Sequence, residues 1–153
     1  MSKPKVNFPS RSVADLGIQD LSVGMIRVLN WVAVSSELDA FAALSGDINP
    51  LHVDPEFARR CGFPDRVAHG FLLGAKISAF VGTVMPGRDC LLLETQLAWP
   101  APIFAGDLVQ LSGEIVDLSE EHRVMRIKFR ATVERDGASV SVGRGWALCQ
   151  IRS

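Results

Sequence analysis

The chain has 153 residues, a formal net charge of -1 and 48% hydrophobic residues. That is enough to bury one core without staples, and the balanced charge gives no basic field for nucleic acid. Cys61, Cys90 and Cys149 are odd in number and lack C-x-x-C spacing, which argues against a disulfide framework and a zinc ribbon and places the chain in a reducing cytoplasm.

A Pro/Ser-containing leader over residues 1–20 carries no apolar stretch of the kind a secretory signal needs, and a single domain is expected over 21–153. The segment 23–34 is rich in Val, Ile and Met and reads as a strand. Ser35 or Ser36 is placed to cap a helix that starts at Glu37 and stops at Gly46. Asn49-Pro50 reads as a turn, and Asp54-Pro55-Glu56 as a cap, first helical residue and early acid of a short helix running to Cys61.

Residues 70–82 have helix length and are apolar on nearly every side, which predicts a helix buried all round. Lys76 and Ser78 interrupt the apolar stretch around 70–85, which falls short of the ~20 residues a membrane span needs, so no membrane partner is expected. Leu91 to Trp99 reads as another strand. Val109, Leu111 and Ile115 alternate with polar residues before a charged turn at Ser119-Glu120-Glu121. Met125, Ile127, Phe129, Ala131 and Val133 alternate with Arg126, Lys128, Arg130, Thr132 and Glu134, a strand with one wet face. Asp136-Gly137 is a hairpin turn into a last strand over 140–151. The sum is an α+β layer in which a curved antiparallel sheet encloses one buried helix. Its exposed sheet edges favour pairing with a second copy, so a homodimer is expected.

Chemistry concentrates in Phe41 to His52, where Asp47 and His52 stand five positions apart across Asn49-Pro50. Adding water to an enoyl thioester needs one group that takes a proton from water and one that delivers a proton to Cα, and an Asp with a His supplies both. The enolate-like charge on the thioester oxygen needs a fixed N–H. The start of the 70–82 helix, at Ala68-His69-Gly70, offers one, and Gly70 lets the thioester come close.

These residues, with Ala58, the His69-Gly70 helix start, Leu97 to Pro102 and Phe104-Ala105-Gly106-Asp107, resemble the MaoC-like, or hydratase 2, dehydratases. The resemblance runs from about residue 20 to the end. It implies the hot-dog fold, a sheet wrapped around a central helix, with protomers paired through their sheets. It also implies that Asp47 and His52 act on the catalytic water, that Gly70 donates the oxyanion N–H, and that Asn49 and Ser78 lie on the substrate side. The expected substrate is an acyl-CoA or acyl carrier protein thioester, hydrated to the R-3-hydroxyacyl form or dehydrated in reverse.

Blander readings stand beside these. His69 reads as structural at the helix start, His122 as solvated in a charged turn, and Asp54 as a cap. Trp31, Trp99 and Trp146 read as packing, and Arg59, Arg60 and Arg66 as solvated surface, with coenzyme A phosphates as their alternative partner. Three histidines and three cysteines scattered along the chain give no ligand spacing, so neither metal nor organic cofactor is expected. The rival functions are a hot-dog acyl thioesterase and a non-catalytic acyl-thioester binding module.

Overall fold

The structure, a computed structural model, describes residues 12–152. The leader expected at 1–20 lies outside the described residues as far as residue 11. Its described end is tied down: Ala14 N–H donates to Thr83 O at 3.0 Å, Leu16 N–H donates to Pro86 O at 3.2 Å, and Leu21 is buried.

Five strands form one antiparallel sheet: β1 (Ile26–Val32), β2 (Cys90–Ala98), β3 (Leu108–Ser119), β4 (Val124–Arg135) and β5 (Ala138–Ile151), in the order β1-β3-β4-β5-β2. The hairpin between β4 and β5 turns at Asp136 and Gly137, with φ of 52° and 75°. Both residues are left-handed, which is why Asp-Gly works there. Along β4 the alternation decides the faces. Met125, Ile127, Phe129, Ala131 and Val133 are buried, and Arg126, Lys128 and Arg130 are exposed.

Between β1 and β2 lie four helices: α1 (Ser35–Ser45), α2 (Pro50–Val53), α3 (Pro55–Arg60) and α4 (Gly70–Thr83). α4 crosses the concave side of the sheet, where Phe80 meets Phe129 edge-on with ring centroids 5.2 Å apart. The sheet makes room with glycines. A Cβ on Gly113 would stand 2.8 Å from both Phe80 and Phe129, and one on Gly143 would stand 2.2 Å from Leu73. A sheet curved around one helix is the hot-dog arrangement that the resemblance implies.

Three local expectations change. α4 is not buried all round: Leu72, Leu73, Ile77, Phe80 and Val81 are buried, whereas Phe71, Ala75, Ser78 and Gly82 form an exposed stripe. Its length and apolarity mark a helix, but one sheet covers only one side of it. The residue at the cap of α1 is Val34, so Ser35 and Ser36 sit inside the first turn; Gly46 does end the helix, with φ of 77°. Asn49-Pro50 starts a helix, α2, instead of making a turn. Asn49 accepts from Leu51 N–H at 3.0 Å and Pro50 takes the first helical position. No helix of the described residues is long and apolar enough to cross a membrane.

Candidate active site

The loop between α1 and α2 places Asp47 and His52 together. Ser45 Oγ accepts from Asp47 N–H at 3.2 Å, and Asp47 Oδ1 accepts from Asn49 N–H at 3.2 Å, so the loop is pinned by its own side chains. Asp54 caps α3, accepting from Glu56 and Phe57 N–H at 2.9 and 3.0 Å. Asp54 thus ends α2 and starts α3 in one residue.

Asp47 Oδ2 and His52 Nε2 are 3.7 Å apart. That is too long for a direct hydrogen bond, so each group keeps capacity for a third body between them. His52 Nδ1 lies 2.7 Å from Val67 O. A carbonyl oxygen only accepts, so Nδ1 is the protonated nitrogen and, in the neutral ring, Nε2 presents a bare lone pair. Asp47 is 53% exposed at its side chain and His52 15%, so the carboxylate stays hydrated while the imidazole sits in the wall.

Gly70 opens α4 immediately beside this pair. Its N–H belongs to the first turn, where helix geometry provides no intrahelical partner. A cavity of about 450 Å³ lies in front, lined among others by His52, Phe63, His69, Gly70, Trp99 and Ile103. A second groove of about 480 Å³ lies between β2, β4 and β5, lined by Arg126, Lys128, Arg144 and Trp146. It has no acid and base facing one another, so the chemistry belongs to the first.

The remaining expected residues separate. Asn49 sits in the pinned loop with its side-chain oxygen committed to Leu51. Ser78 lies on the exposed stripe of α4, about 12 Å of helix beyond Gly70, and does not line the cavity. Arg59 pairs with Asp65 at 3.6 Å and Arg60 lies over the Phe57 ring. Arg66 overturns its reading as solvated surface. It is 7% exposed and bonds Asp39 Oδ1 at 2.6 Å and Ser35 O at 3.2 Å, joining the approach to α4 to the start of α1.

Two residues read as bland belong to the site. His69 is buried and stacks on His52. Trp99 is 42% exposed, lines the cavity and reaches back to Gly70. The Trp99-Pro100 break after a strand is the one local signal that pointed there. Asp47, His52 and His69 also each offer a ligand atom within 4.8 Å of the others, so donors scattered in sequence converge in space. Yet the two imidazoles stack, which runs their in-plane lone pairs side by side, and each already spends a nitrogen on a main-chain carbonyl. We read the trio as proton-transfer and packing groups.

Away from the site, Cys90 and Cys149 face each other between β2 and β5. A hydrogen bond between them lowers the Cys90 pKa and, with burial, pushes the Cys149 thiol far up.

The chain is similar to known proteins of one family. The family model described as "MaoC like domain" matches residues 20–138. The chain is 36% identical over 118 residues to a 3-hydroxybutyryl-CoA dehydratase of Methylorubrum extorquens, covering 77% of this chain and 75% of that protein. It is 33% identical over 126 residues to an (R)-specific enoyl-CoA hydratase of Aeromonas caviae, covering 82% and 94%. Among solved structures, an R-hydratase from Pseudomonas aeruginosa superposes with a TM-score of 0.85 at 30% identity, over 92% of this chain and 88% of that one. Family model, relatives and fold coincide, and the chain belongs to the MaoC-like domain family.

Proposed function

We propose that this protein is a hydratase/dehydratase acting on the α,β double bond of a trans-2-enoyl thioester, forming the R-3-hydroxyacyl thioester or running the reverse dehydration. The observation that carries the reading is the 3.7 Å gap between Asp47 Oδ2 and His52 Nε2, both acceptors, beside the first N–H of α4. One water donating a hydrogen to each would be held with its oxygen facing the cavity. As that oxygen attacks Cβ, its proton passes to the pair. The π electrons shift towards the thioester oxygen, where Gly70 N–H meets the developing charge, and a proton is returned to Cα. The R configuration is supported by the activity for which the Aeromonas caviae relative is named, and the apolar lining from Phe63, Trp99 and Ile103 suits an acyl chain.

The carrier is coenzyme A or acyl carrier protein, since relatives are named for both. We also propose a homodimer. Leu91 and Leu93 on the edge strand β2, Phe71 on α4 and Trp99 are 43%, 47%, 69% and 42% exposed. Phe71 and Trp99 meet with ring centroids 5.5 Å apart, and apolar surface of this kind at an unpaired sheet edge is what a second copy would cover.

The test follows the ultraviolet absorbance of crotonyl-CoA and longer trans-2-enoyl-CoAs, with Asp47→Asn and His52→Gln alongside. Loss of the conjugated-thioester absorbance without free thiol, slowed about 10²–10⁴-fold by either substitution, is the expected result. Release of free thiol would instead make the protein a thioesterase, and saturable binding without product would make it a binding module.

A further inference from the structure

One buried side chain touches every part of the proton-transfer machinery. His69 is 3% exposed. Its Nε2 lies 2.8 Å from the main-chain oxygen of Asp47, and because a carbonyl only accepts, Nε2–H is the donor. Its ring stacks on that of His52, with centroids 3.8 Å apart and planes at 28°, and Phe41 closes the other side at 5.1 Å. His69 is also the residue before Gly70, at the cap of α4. Its Nδ1 is buried without a partner among the described residues, so the Asp47 bond and the two ring contacts alone set the ring's orientation. A buried imidazole that merely capped a helix would spend a nitrogen on the helix, and His69 makes no side-chain cap bond.

The geometry points to His69 as a positioning residue: its Nε2–H fixes the Asp47 loop and so sets the separation at which the pair holds water, while its ring packs against His52. The role rests on the hydration proposed above. It acts through Asp47 and His52 and not on substrate. Misplacing a proton-transfer group by about 1 Å costs on the order of 10²-fold in rate, so the effect belongs in kcat.

Two substitutions separate the contacts. His69→Gln keeps an N–H donor at the position of Nε2 and removes the aromatic stack. His69→Phe keeps the ring and removes the donor. Each is measured with trans-2-enoyl-CoA at a temperature below its own unfolding midpoint. We expect His69→Phe to lower kcat at least tenfold with KM within about twofold, and His69→Gln to recover most of that loss. Equal losses in the two variants, a wild-type kcat in His69→Phe, or a loss carried by KM would overturn the assignment. Should His69→Phe fail to fold, nitrogen NMR of the wild-type imidazoles decides. The proposal requires His69 protonated at Nε2 and His52 protonated at Nδ1, and an Nδ1–H tautomer of His69 would end it. A wild-type protein that hydrates nothing fails the functional reading instead and leaves the tautomers to be read independently.

Discussion

Trp99 Nε1–H donates to the main-chain oxygen of Gly70 at 2.8 Å, so the strand end after β2 holds the first residue of α4. The fit is close: a Cβ on Gly70 would stand 3.2 Å from the Trp99 ring. Gly70→Ala is therefore expected to push the indole by a few tenths of an ångström and turn the Gly70 N–H away from its target, lowering kcat more than it raises KM. Trp99→Phe removes the hydrogen bond and is expected to reduce kcat/KM by about fivefold, the value of a bond near 1 kcal/mol. Steady-state kinetics on an enoyl-CoA reads both. An unchanged kcat in Gly70→Ala would mean that the N–H is not used.

Arg66 is a structural pin, and its loss should read as stability. Asp39, its partner, is 61% exposed at the side chain, so water recovers much of the broken pair. Asp39→Asn is expected to lower stability by about 1 kcal/mol, a few degrees in Tm, with kcat per folded molecule unchanged. Thermal unfolding beside the kinetic assay checks this. A selective change in KM for coenzyme A thioesters would return Arg66 to the substrate.

The glycines under α4 give a packing prediction. Gly113→Ala forces a methyl group against Phe80 and Phe129 at 2.8 Å and is expected to cost about 1–3 kcal/mol by overpacking. Shortening the neighbour, as Phe80→Leu in the same chain, should restore part of the lost Tm, and a purely additive double variant would show that the contact is not the cause.

For the apolar face beside β2, light scattering is expected to give the mass of two chains. Leu91→Lys with Leu93→Lys should give the mass of one, because two charges on an edge strand oppose pairing. A single-chain mass for the unaltered protein would remove the dimer.

Thiol chemistry should separate the cysteines. Cys61 is exposed and reacts first with an alkylating reagent. Cys90, its pKa lowered by the bond with Cys149, follows as pH rises. Cys149, buried with its pKa raised, stays protonated and resists until the chain unfolds. Mass spectrometry across pH reads the order, and early labelling of Cys149 would contradict it.

The sheet was legible because period-two alternation is local. Met125 to Glu134 declares its two faces without reference to any other strand, and the hairpin follows from Asp136-Gly137. The Asp47 and His52 pair was legible through one short loop. The exposed face of α4 was hidden because apolarity says that a surface prefers cover, not which molecule supplies it. Arg66 looked like surface because its partner Asp39 is 27 residues away. His69 looked bland for a related reason: its contacts with Asp47 and His52 exist only after α2 has folded back over the start of α4. Asn49 deceived at shorter range, since Asn-Pro begins a helix as readily as a turn.

The pinned loop and the start of α4 have one more consequence. Asp47, His52, His69 and Gly70 come from one continuous stretch of chain, whereas Trp99 to Ile103, which line the cavity, belong to a separate connection between β2 and β3. The proton-handling residues thus lie in one segment, which shares the wall of the cavity with a second one. Substitutions at Ala101 or Ile103 can reshape the room available to an acyl chain while the proton-handling residues keep their positions.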